Sequence, residues 1–166
     1  MLVINPMLTG MFQHCAPKTR VFKRTCITFD LSDGTQLRYL DDKQMGLFYY
    51  IRSDQLHEVP RLSEQGPDVL EGMTLEEFQQ RLKRFPGEIK GILTRGAVLS
   101  GIGNAYSDEI LFDAQIYPFR KRKSLSDEEL QRILDSSRSV VEDAIPILRK
   151  RMADNIHVKV RDFLKV

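Results

Sequence analysis

The segment GIGNAYSDEILF, residues 101–112, contains residue types suited to binding an anion. Gly101 and Gly103 leave the backbone bare at a turn between two helical segments, so an anion can approach the main chain closely. Asn104 follows at the position predicted to cap the next helix, whose first amides and dipole favour negative charge. The pattern is typical of phosphate capture by backbone N–H groups and one amide side chain. An ordinary turn between two helices would use the same glycines.

Positive charge is clustered rather than abundant. The formal net charge is +2, yet residues 120–123 and 149–151 are runs of Arg and Lys. Such runs form either a solvated face or a phosphate-binding surface. Hydrophobic residues make up 42% of the chain and charged residues 29%, and no apolar run approaches the ~18 residues of a spanning helix. We therefore expect a cytosolic protein without a membrane partner.

The two cysteines, Cys15 and Cys26, are eleven residues apart and do not form a Cys-x-x-Cys pair. A zinc site needs several Cys or His ligands at short, regular spacings. A closed zinc site within this chain is therefore not expected. Both cysteines are interpreted as core or surface thiols.

The first part of the chain, residues 1–52, is predicted to be β structure. Residues 25–40 read as two strands joined by a tight turn, in which Asp33 and Gly34 supply positive φ angles. LVIN at residues 2–5 and GLFYYIR at residues 46–52 are further strand candidates. Residues 53–73 are polar, are broken by proline and glycine, and are interpreted as a linker.

Residues 74–166 are predicted to form an all-helical domain. Thr74 with Glu77, and Ser126 with Glu129, are capping boxes that begin two helices. A further helix is predicted over residues 88–100. Pro146 lies inside the last helical pattern and is expected to kink or end it. Residues 156–166 alternate apolar and polar side chains and are predicted to be extended.

The region around the glycine turn resembles the helix–two-turns–helix segment of the formamidopyrimidine-DNA glycosylase and endonuclease VIII family. The pattern typical of that family is IK…L…G-[IVL]-G-N-x-Y-[AS]-[DS]-E-x-L-F-x-A-x-I-x-P. The positions in register are Lys90, Gly101, Gly103, Asn104, Tyr106, Asp108, Glu109, Leu111, Phe112, Ala114, Ile116 and Pro118. INPMLTG, LRYLDDKQMG and VRDFLKV resemble other segments of the family, so the resemblance covers essentially the whole chain.

This resemblance implies an α+β fold, in which a partial β-sandwich is followed by the helix–two-turns–helix domain. It implies a base-excision-repair enzyme that removes a damaged base and then cleaves the abasic strand. The expected partner is double-stranded DNA with a damaged base or an abasic site, bound with the damaged nucleotide flipped out. The resemblance also implies a monomer that is associated with the nucleoid.

The resemblance assigns DNA-backbone contacts to the helical part of the chain. Asn104 and Lys90 match family positions that hold the phosphates flanking the lesion. Backbone N–H groups near Gly103 are expected to contribute to the same contact.

Four further positions in the β part match residues that the family inserts into DNA or places on its backbone. Leu8 falls where the family often has a gap-filling Met. Lys43 and Met45 fall where it often has Arg and Phe of an intercalating loop, and Gln44 replaces an Arg that would contact phosphate. Met45 is flexible and apolar enough to enter a base stack, whereas Lys43 lacks the planar fork of Arg. The alternative is that Leu8 and Met45 are core residues.

The family begins with a Pro-Glu pair, whose proline amine attacks the sugar, and ends with a zinc finger of four cysteines. Neither feature is found in this sequence, so the chain is expected to be a fragment without a catalytic residue and without a cofactor of its own. It is expected to bind DNA with little or no catalysis. The alternatives are a non-catalytic nucleic-acid-binding module and a structural helical domain whose glycine turn is incidental.

Overall fold

The chain contains two compact units, each with its own elements. The computed structural model describes residues 1–153 and 155–166. Unit 1 comprises Met1–Pro60 and Leu148–Arg161, and unit 2 comprises Arg61–Ile147 and Asp162–Val166. Strands lie in the first unit and most helical residues lie in the second, which confirms the predicted α+β fold class.

Unit 1 is built on short antiparallel strands. Its elements in chain order are β1 Leu2–Asn5, β2 Met11–Cys15, β3 Thr25–Asp30, β4 Gln36–Leu40, β5 Leu47–Tyr50 and a 3-10 helix over Ser53–Glu58. β1 pairs with β5 in a two-stranded sheet, and the second sheet has the order β2-β4-β3. β4 is the central strand of the second sheet, and its Tyr39 and Leu40 are almost fully buried.

The β3–β4 hairpin follows from local sequence signals. Gly34 has φ +81°, and Leu31 N–H donates to the Thr35 carbonyl at 2.9 Å, which closes the turn. The Asp33 carboxylate accepts from Thr35 N–H at 2.9 Å. Along β3 the half-buried and exposed residues alternate, as expected for a strand with one face toward a core. The predicted hairpin is confirmed, but the positive φ angle predicted for Asp33 is wrong: of the two residues only Gly34 has one, and Asp33 instead supports the turn through its side chain.

Unit 2 is a helical domain around one apolar core. Its helices are α1 Leu75–Lys83, α2 Ile89–Leu93, α3 Asn104–Asp113 and the part of α4 Asp127–Met152 that precedes Leu148; a 3-10 turn spans Arg122–Ser124. The core residues are Val69, Phe78, Leu82, Ile89, Ile92, Leu93, Val98, Leu99, Ile102, Ile110, Leu111, Ala114, Ile116, Leu130 and Ile133. This core fixes the turns between α2 and α3, because Val98, Leu99 and Ile102 lie within it.

Both predicted capping boxes are formed. Glu77 N–H donates to Thr74 Oγ1 at 3.2 Å, and Thr74 N–H donates to the Glu77 carboxylate at 3.0 Å. Ser126 and Glu129 exchange the equivalent bonds at 3.3 and 2.9 Å. Each pair satisfies two amides that the first helical turn leaves without a partner.

Three predicted features differ in the structure. α4 continues through Pro146 to Met152, so the proline does not end the helix. The predicted helix over residues 88–100 is formed only at Ile89–Leu93, and the chain then turns, with Gly96 at φ +73°. Residues 155–166 form turns and no strand, since an alternating pattern becomes a strand only with a pairing partner, and none of the described residues provides one.

The segment predicted as a linker, residues 53–73, is structured on both sides of the unit boundary. Within unit 2, Ser100 N–H donates to the Pro67 carbonyl at 2.9 Å and Val69 N–H donates to the Ser100 carbonyl at 3.2 Å. Val69 is only 4% exposed and belongs to the core. The glycines and prolines of residues 61–73 therefore lie in a segment that packs against unit 2, and not in a flexible linker. The division into a β part, a linker and a helical DNA-binding domain remains a prediction.

The packing of Val69 gives a stability prediction. Val69→Ala should destabilise unit 2 by about 1.5–3 kcal/mol, because two buried methyl groups are lost and a cavity is left. The neighbouring Leu70 is 37% exposed, and Leu70→Ala should cost less than about 1 kcal/mol. Urea unfolding followed by helical circular dichroism compares the two variants. Equal effects would show that residues 61–73 behave as a linker.

Candidate nucleic-acid interface

Asp41 is a buried carboxylate at the start of the loop between β4 and β5, in unit 1. The residue is 2% exposed. Its oxygens accept from the backbone N–H groups of Met45 and Gly46, each at 2.8 Å, and of Lys43 at 3.2 Å. A buried carboxylate is tolerated only when hydrogen bonds replace its hydration. The path of residues 41–46 is therefore set by one side chain.

The same carboxylate also binds the loop between β1 and β2, residues 6–10. The Thr9 hydroxyl donates to Asp41 Oδ1 in a short hydrogen bond. The Tyr39 hydroxyl lies 3.2 Å from Asp41 Oδ2 and 3.4 Å from the Pro6 carbonyl, and its one proton can be donated to either. Gly10 N–H closes this loop by donating to the Pro6 carbonyl at 2.9 Å.

The surroundings of Asp41 and Tyr39 shift their pKa values in opposite directions. The hydrogen bond from Thr9, followed by those from the backbone N–H groups of Gly46, Lys43 and Met45, lowers the pKa of Asp41 to about 2. Burial, followed by the neighbouring Asp41 charge, raises the pKa of Tyr39 to about 12. Asp41 is thus ionised and Tyr39 neutral throughout the physiological range.

Each of these two loops exposes an apolar side chain. Leu8 is 74% exposed and Met45 is 39% exposed, so neither is a core residue. Lys43 and Gln44 are also exposed. The structure thus places the four sequence-predicted residues of the β part on two loops that share one carboxylate. Asp41 itself was not singled out as a site residue, although an Asp after an apolar strand and before a Gly-containing loop is a recognisable turn signal.

The sequence-predicted phosphate site lies at the beginning of α3, in unit 2. Gly101 has φ +89°, a left-handed conformation that glycine adopts without strain. Gly103 is the N-cap residue, and open space surrounds the position where its side chain would be. Asn104 was predicted as the cap but is the first residue of the helix, because the extended conformation falls one residue earlier, at Gly103. Its exposed amide remains beside the first helical N–H groups.

The first turn of α3 contains backbone N–H groups that make no hydrogen bond within the helix. Ser107 N–H donates to the Gly103 carbonyl at 2.9 Å, which is the first bond of the helix. The N–H groups of residues 104–106 precede this bond and have no acceptor within the helix. Together with the helix dipole, they create positive potential at an uncovered backbone surface.

Lys90, the second predicted phosphate ligand, forms an ion pair with Asp108. Its Nζ lies 2.7 Å from Asp108 Oδ1, and both side chains are partly buried. α2 carries Lys90 and α3 carries Asp108, so the pair links the two helices on either side of the glycine turns. A carboxylate thus compensates the lysine charge close to the site where a phosphate would bind.

Glu109 connects α3 to the last residue of unit 2. Glu109 is buried and accepts from Val166 N–H at 2.7 Å. Burial, followed by the charge of Glu109, raises the pKa of Tyr106. Glu109 therefore holds α3 through its side chain, one turn beyond the first N–H groups of the helix.

The basic run at residues 120–123 is partly neutralised by its neighbours. Arg120 forms hydrogen bonds of 2.5 and 3.0 Å with Glu129. Lys121 lies 3.1 Å from Glu88. Of the four cations, these two have carboxylate partners, so this run supplies less free positive charge than its sequence indicates.

The described part of the chain has neither a cluster of metal ligands nor a membrane-spanning helix. Residues 1–153 and 155–166 contain no group of three or more His, Cys, Asp or Glu side chains arranged to hold a metal ion. The described residues therefore do not fit a zinc site. Among the same residues, no helix has the length and apolar character needed to cross a bilayer.

Residues 65–156, more than half of the chain, match the family described as the formamidopyrimidine-DNA glycosylase H2TH domain. The formamidopyrimidine-DNA glycosylase of Listeria innocua is 32% identical over 141 residues, which are 84% of this chain and 52% of that protein. The crystal structure of MutM (Fpg) from Thermus thermophilus is similar, with a TM-score of 0.77 and 30% identity over 87% of this chain and 53% of that chain. The chain belongs to the formamidopyrimidine-DNA glycosylase family.

A further solved structure shows the same fold together with DNA. It is the complex between Lactococcus lactis Fpg and an abasic-site-containing DNA, with a TM-score of 0.76 and 24% identity over 87% of this chain and 54% of that chain. The chain spans about half the length of the relatives it matches.

The Asp41 hydrogen bonds give a pH prediction. The folded pKa of about 2 lies below the ordinary value of about 3.9. Asp41 therefore stabilises unit 1 above pH ~4, and this contribution is lost as the pH falls toward 2. Asp41→Asn should lower the stability near neutral pH, because an amide cannot accept all the bonds that the carboxylate accepts.

The measurement is thermal unfolding of the wild-type chain and of Asp41→Asn between pH 2 and pH 7. The difference in melting temperature should be largest above pH 5 and should shrink toward pH 2. Asp33 and Glu129, whose pKa values are also lowered by hydrogen bonds, affect both proteins equally and cancel in the difference. A difference that stays constant with pH would contradict the assigned role of the carboxylate.

Proposed function

We propose that this chain binds double-stranded DNA that contains a damaged base or an abasic site. The observation that carries the proposal is the uncovered N-terminus of α3 behind Gly101 and Gly103, within the H2TH domain of a DNA-glycosylase family. Backbone N–H groups at such a terminus bind phosphate without needing a particular base. The similar Lactococcus lactis protein, bound to an abasic-site DNA, supports the same partner.

The phosphate contact involves Asn104 and the backbone near Gly103. The amide of Asn104 is exposed at the first position of α3 and can donate to a phosphate oxygen. The N–H groups of the first turn supply further donors to the same anion. Since Gly103 has no side chain, the phosphate can reach the main chain directly.

Lys90 contributes a positive charge, which in the free protein is compensated by the carboxylate of Asp108. A DNA phosphate near α3 would attract the Lys90 ammonium and repel the Asp108 carboxylate. The ammonium carries three donors, so it can contact a phosphate while keeping a bond to Asp108, or can exchange one anion for the other. In either case Asp108 weakens the attraction for DNA.

The exposed tips of unit 1 provide recognition of the damaged position. We assign Leu8 and Met45 to filling the space that a displaced nucleotide leaves in the base stack, as apolar side chains do in proteins that unstack DNA. Lys43 supplies a charge for the DNA backbone, and Gln44 supplies an uncharged hydrogen-bonding group. Both residues lack the planar guanidinium fork of Arg, which matches the geometry of a phosphate, so each should hold the DNA backbone less firmly than Arg would.

Base excision and cleavage of the abasic strand are the activities to test for the protein as a whole. The described residues support binding and presentation of the DNA, and the proposed site of action is the nucleoid. Borohydride reduction in the presence of an abasic-site duplex separates the alternatives. A trapped covalent adduct supports a glycosylase and lyase, whereas binding without an adduct supports a nucleic-acid-binding module.

The phosphate contacts predict different salt responses for two variants. Asn104→Ala should weaken binding to an abasic-site duplex about tenfold, because a hydrogen bond to a charged group is lost. It should leave the slope of log K against log salt unchanged, since no cation is removed. Lys90→Gln should also weaken binding and should lower that slope by about one.

Lys83 is an exposed lysine in the last turn of α1. The variant Lys83→Gln is therefore the matched control for Lys90→Gln. Binding is measured by fluorescence anisotropy from low to high salt. If Asn104→Ala and Lys90→Gln bind as the wild-type chain does, the N-terminus of α3 is not the phosphate site and the proposed function is wrong.

The Lys90–Asp108 pair predicts a variant with increased affinity. Asp108→Asn removes the anion that competes with DNA for Lys90, so the affinity for DNA should rise several-fold and the salt slope should become steeper by about one. Titrations of both proteins with the same duplex measure this. A loss of affinity similar to that of Lys90→Gln would instead show that Asp108 is needed to hold the lysine in place.

A further inference from the structure

The donors around Asp41 come from both exposed loops of unit 1. Oδ1 accepts from the Thr9 hydroxyl of residues 6–10 and from Lys43 N–H of residues 41–46. Oδ2 accepts from Met45 and Gly46 N–H. One carboxylate therefore makes bonds to two segments that are more than thirty residues apart in sequence. Neither loop can leave its position without breaking bonds at this group.

Tyr39 joins the same two loops by close packing. A Cβ atom at Gly10 would lie 2.1 Å from the Tyr39 hydroxyl oxygen, and one at Gly46 would lie 2.0 Å from it. Only glycine permits backbone to approach this closely. The hydroxyl end of Tyr39 is thus enclosed by the backbones of both loops, and the residue is 1% exposed.

The two exposed tips have the same local conformation. Met7, with φ +50°, directly precedes Leu8, and Gln44, with φ +52°, directly precedes Met45. Residues other than glycine rarely adopt this left-handed conformation, and they keep it only where the surroundings enforce it. In both loops the surroundings include the bonds to Asp41 and the packing on Tyr39, and in the first loop Asn5 Oδ1 also accepts from Met7 N–H at 3.1 Å.

We propose that Tyr39 and Asp41 form a positioning hub that couples the two loops, so that Leu8 and Met45 act on DNA as one paired wedge rather than as two independent contacts. Neither hub residue touches DNA in this proposal; both act through the loops. The proposal rests on the proposed function, because the wedge is meaningful only if the chain binds DNA. The coupling itself is a property of the free protein.

The physical consequence is preorganisation. Ordering a loop during binding costs conformational entropy, and a loop already held in its bound shape avoids that cost. With one hub, loosening one loop also loosens the other. A change confined to residues 6–10 should therefore be detected at Met45, and the contributions of Leu8 and Met45 to binding should depend on each other.

The first test is Thr9→Val, which removes the Thr9 hydroxyl that donates to Asp41 and keeps the shape of the side chain. The full chain is labelled at its six methionine methyl groups and observed by NMR. The Met45 signal should shift or broaden, whereas Met73 in unit 2 should be unchanged. Thr9→Ser, which retains a hydroxyl, should restore the wild-type Met45 signal, and Thr28→Val at an exposed position of β3 is the matched control. An unchanged Met45 signal in Thr9→Val overturns the hub, whether or not the protein binds DNA.

The second test is a double-mutant cycle on DNA binding. The readout is the ratio of affinities for an abasic-site duplex and for the intact duplex. In the wild-type background, Leu8→Ala and Met45→Ala should each lower this ratio several-fold, and the double variant should lower it by less than the product of the two single effects. In the Thr9→Val background the ratio should already be low, and the two effects should multiply.

The outcomes separate this inference from the proposed function. If the wild-type chain binds neither duplex, the proposed function and the wedge are both wrong, while the NMR result still decides whether the two loops are coupled. If the chain prefers the abasic duplex and the two substitutions are independent in both backgrounds, the paired wedge is wrong and the proposed function stands.

Discussion

A buried negative charge determines how unit 1 presents its loops. The Asp41 carboxylate is removed from water, and it is tolerated because two loops and a tyrosine supply hydrogen bonds to it. The dependence is mutual, since each loop owes its path to the carboxylate and the carboxylate needs both loops. This explains how short loops without regular structure hold Leu8 and Met45 in the solvent while left-handed residues precede them.

In unit 2 the proposed phosphate site depends on exposed backbone amides and not on a buried side chain. At the start of α3 the important groups are backbone amides, and they are available because Gly103 places no side chain over them. The helix is held from behind by Ile110 and Leu111, which are fully buried. The helix is thus fixed from its core side, while the Cβ position of Gly103 at its start faces open space. The ion pair between Lys90 and Asp108 keeps a positive charge nearby, largely compensated until another anion competes for it.

Features with local signals were predictable from the sequence. The Asp33–Gly34 hairpin, the capping boxes of Thr74 and Ser126, and the glycine turn before α3 each depend on residues within a few positions of one another. The predicted N-cap of α3 was wrong by one residue, because Gly103 and not Asn104 adopts the extended cap conformation. The role of Asp41 could not be inferred, since Thr9 is 32 residues away along the chain. The strand expected after residue 155 failed for the same kind of reason, because pairing depends on a partner that local alternation does not specify.

The two surfaces are suited to different parts of recognition. Amides at a helix N-terminus bind any phosphate, so they contribute affinity and register but do not distinguish damaged from intact DNA. In the proposed function, Leu8 and Met45 have no charge and would gain from contact only where a base stack is already open or easily opened, so they would contribute discrimination. A flexible wedge would lose much of that gain to the entropy of ordering two loops. The rigidity that Asp41 and Tyr39 impose on these loops is therefore where selectivity for damaged DNA would originate, while the α3 terminus would set the strength of binding.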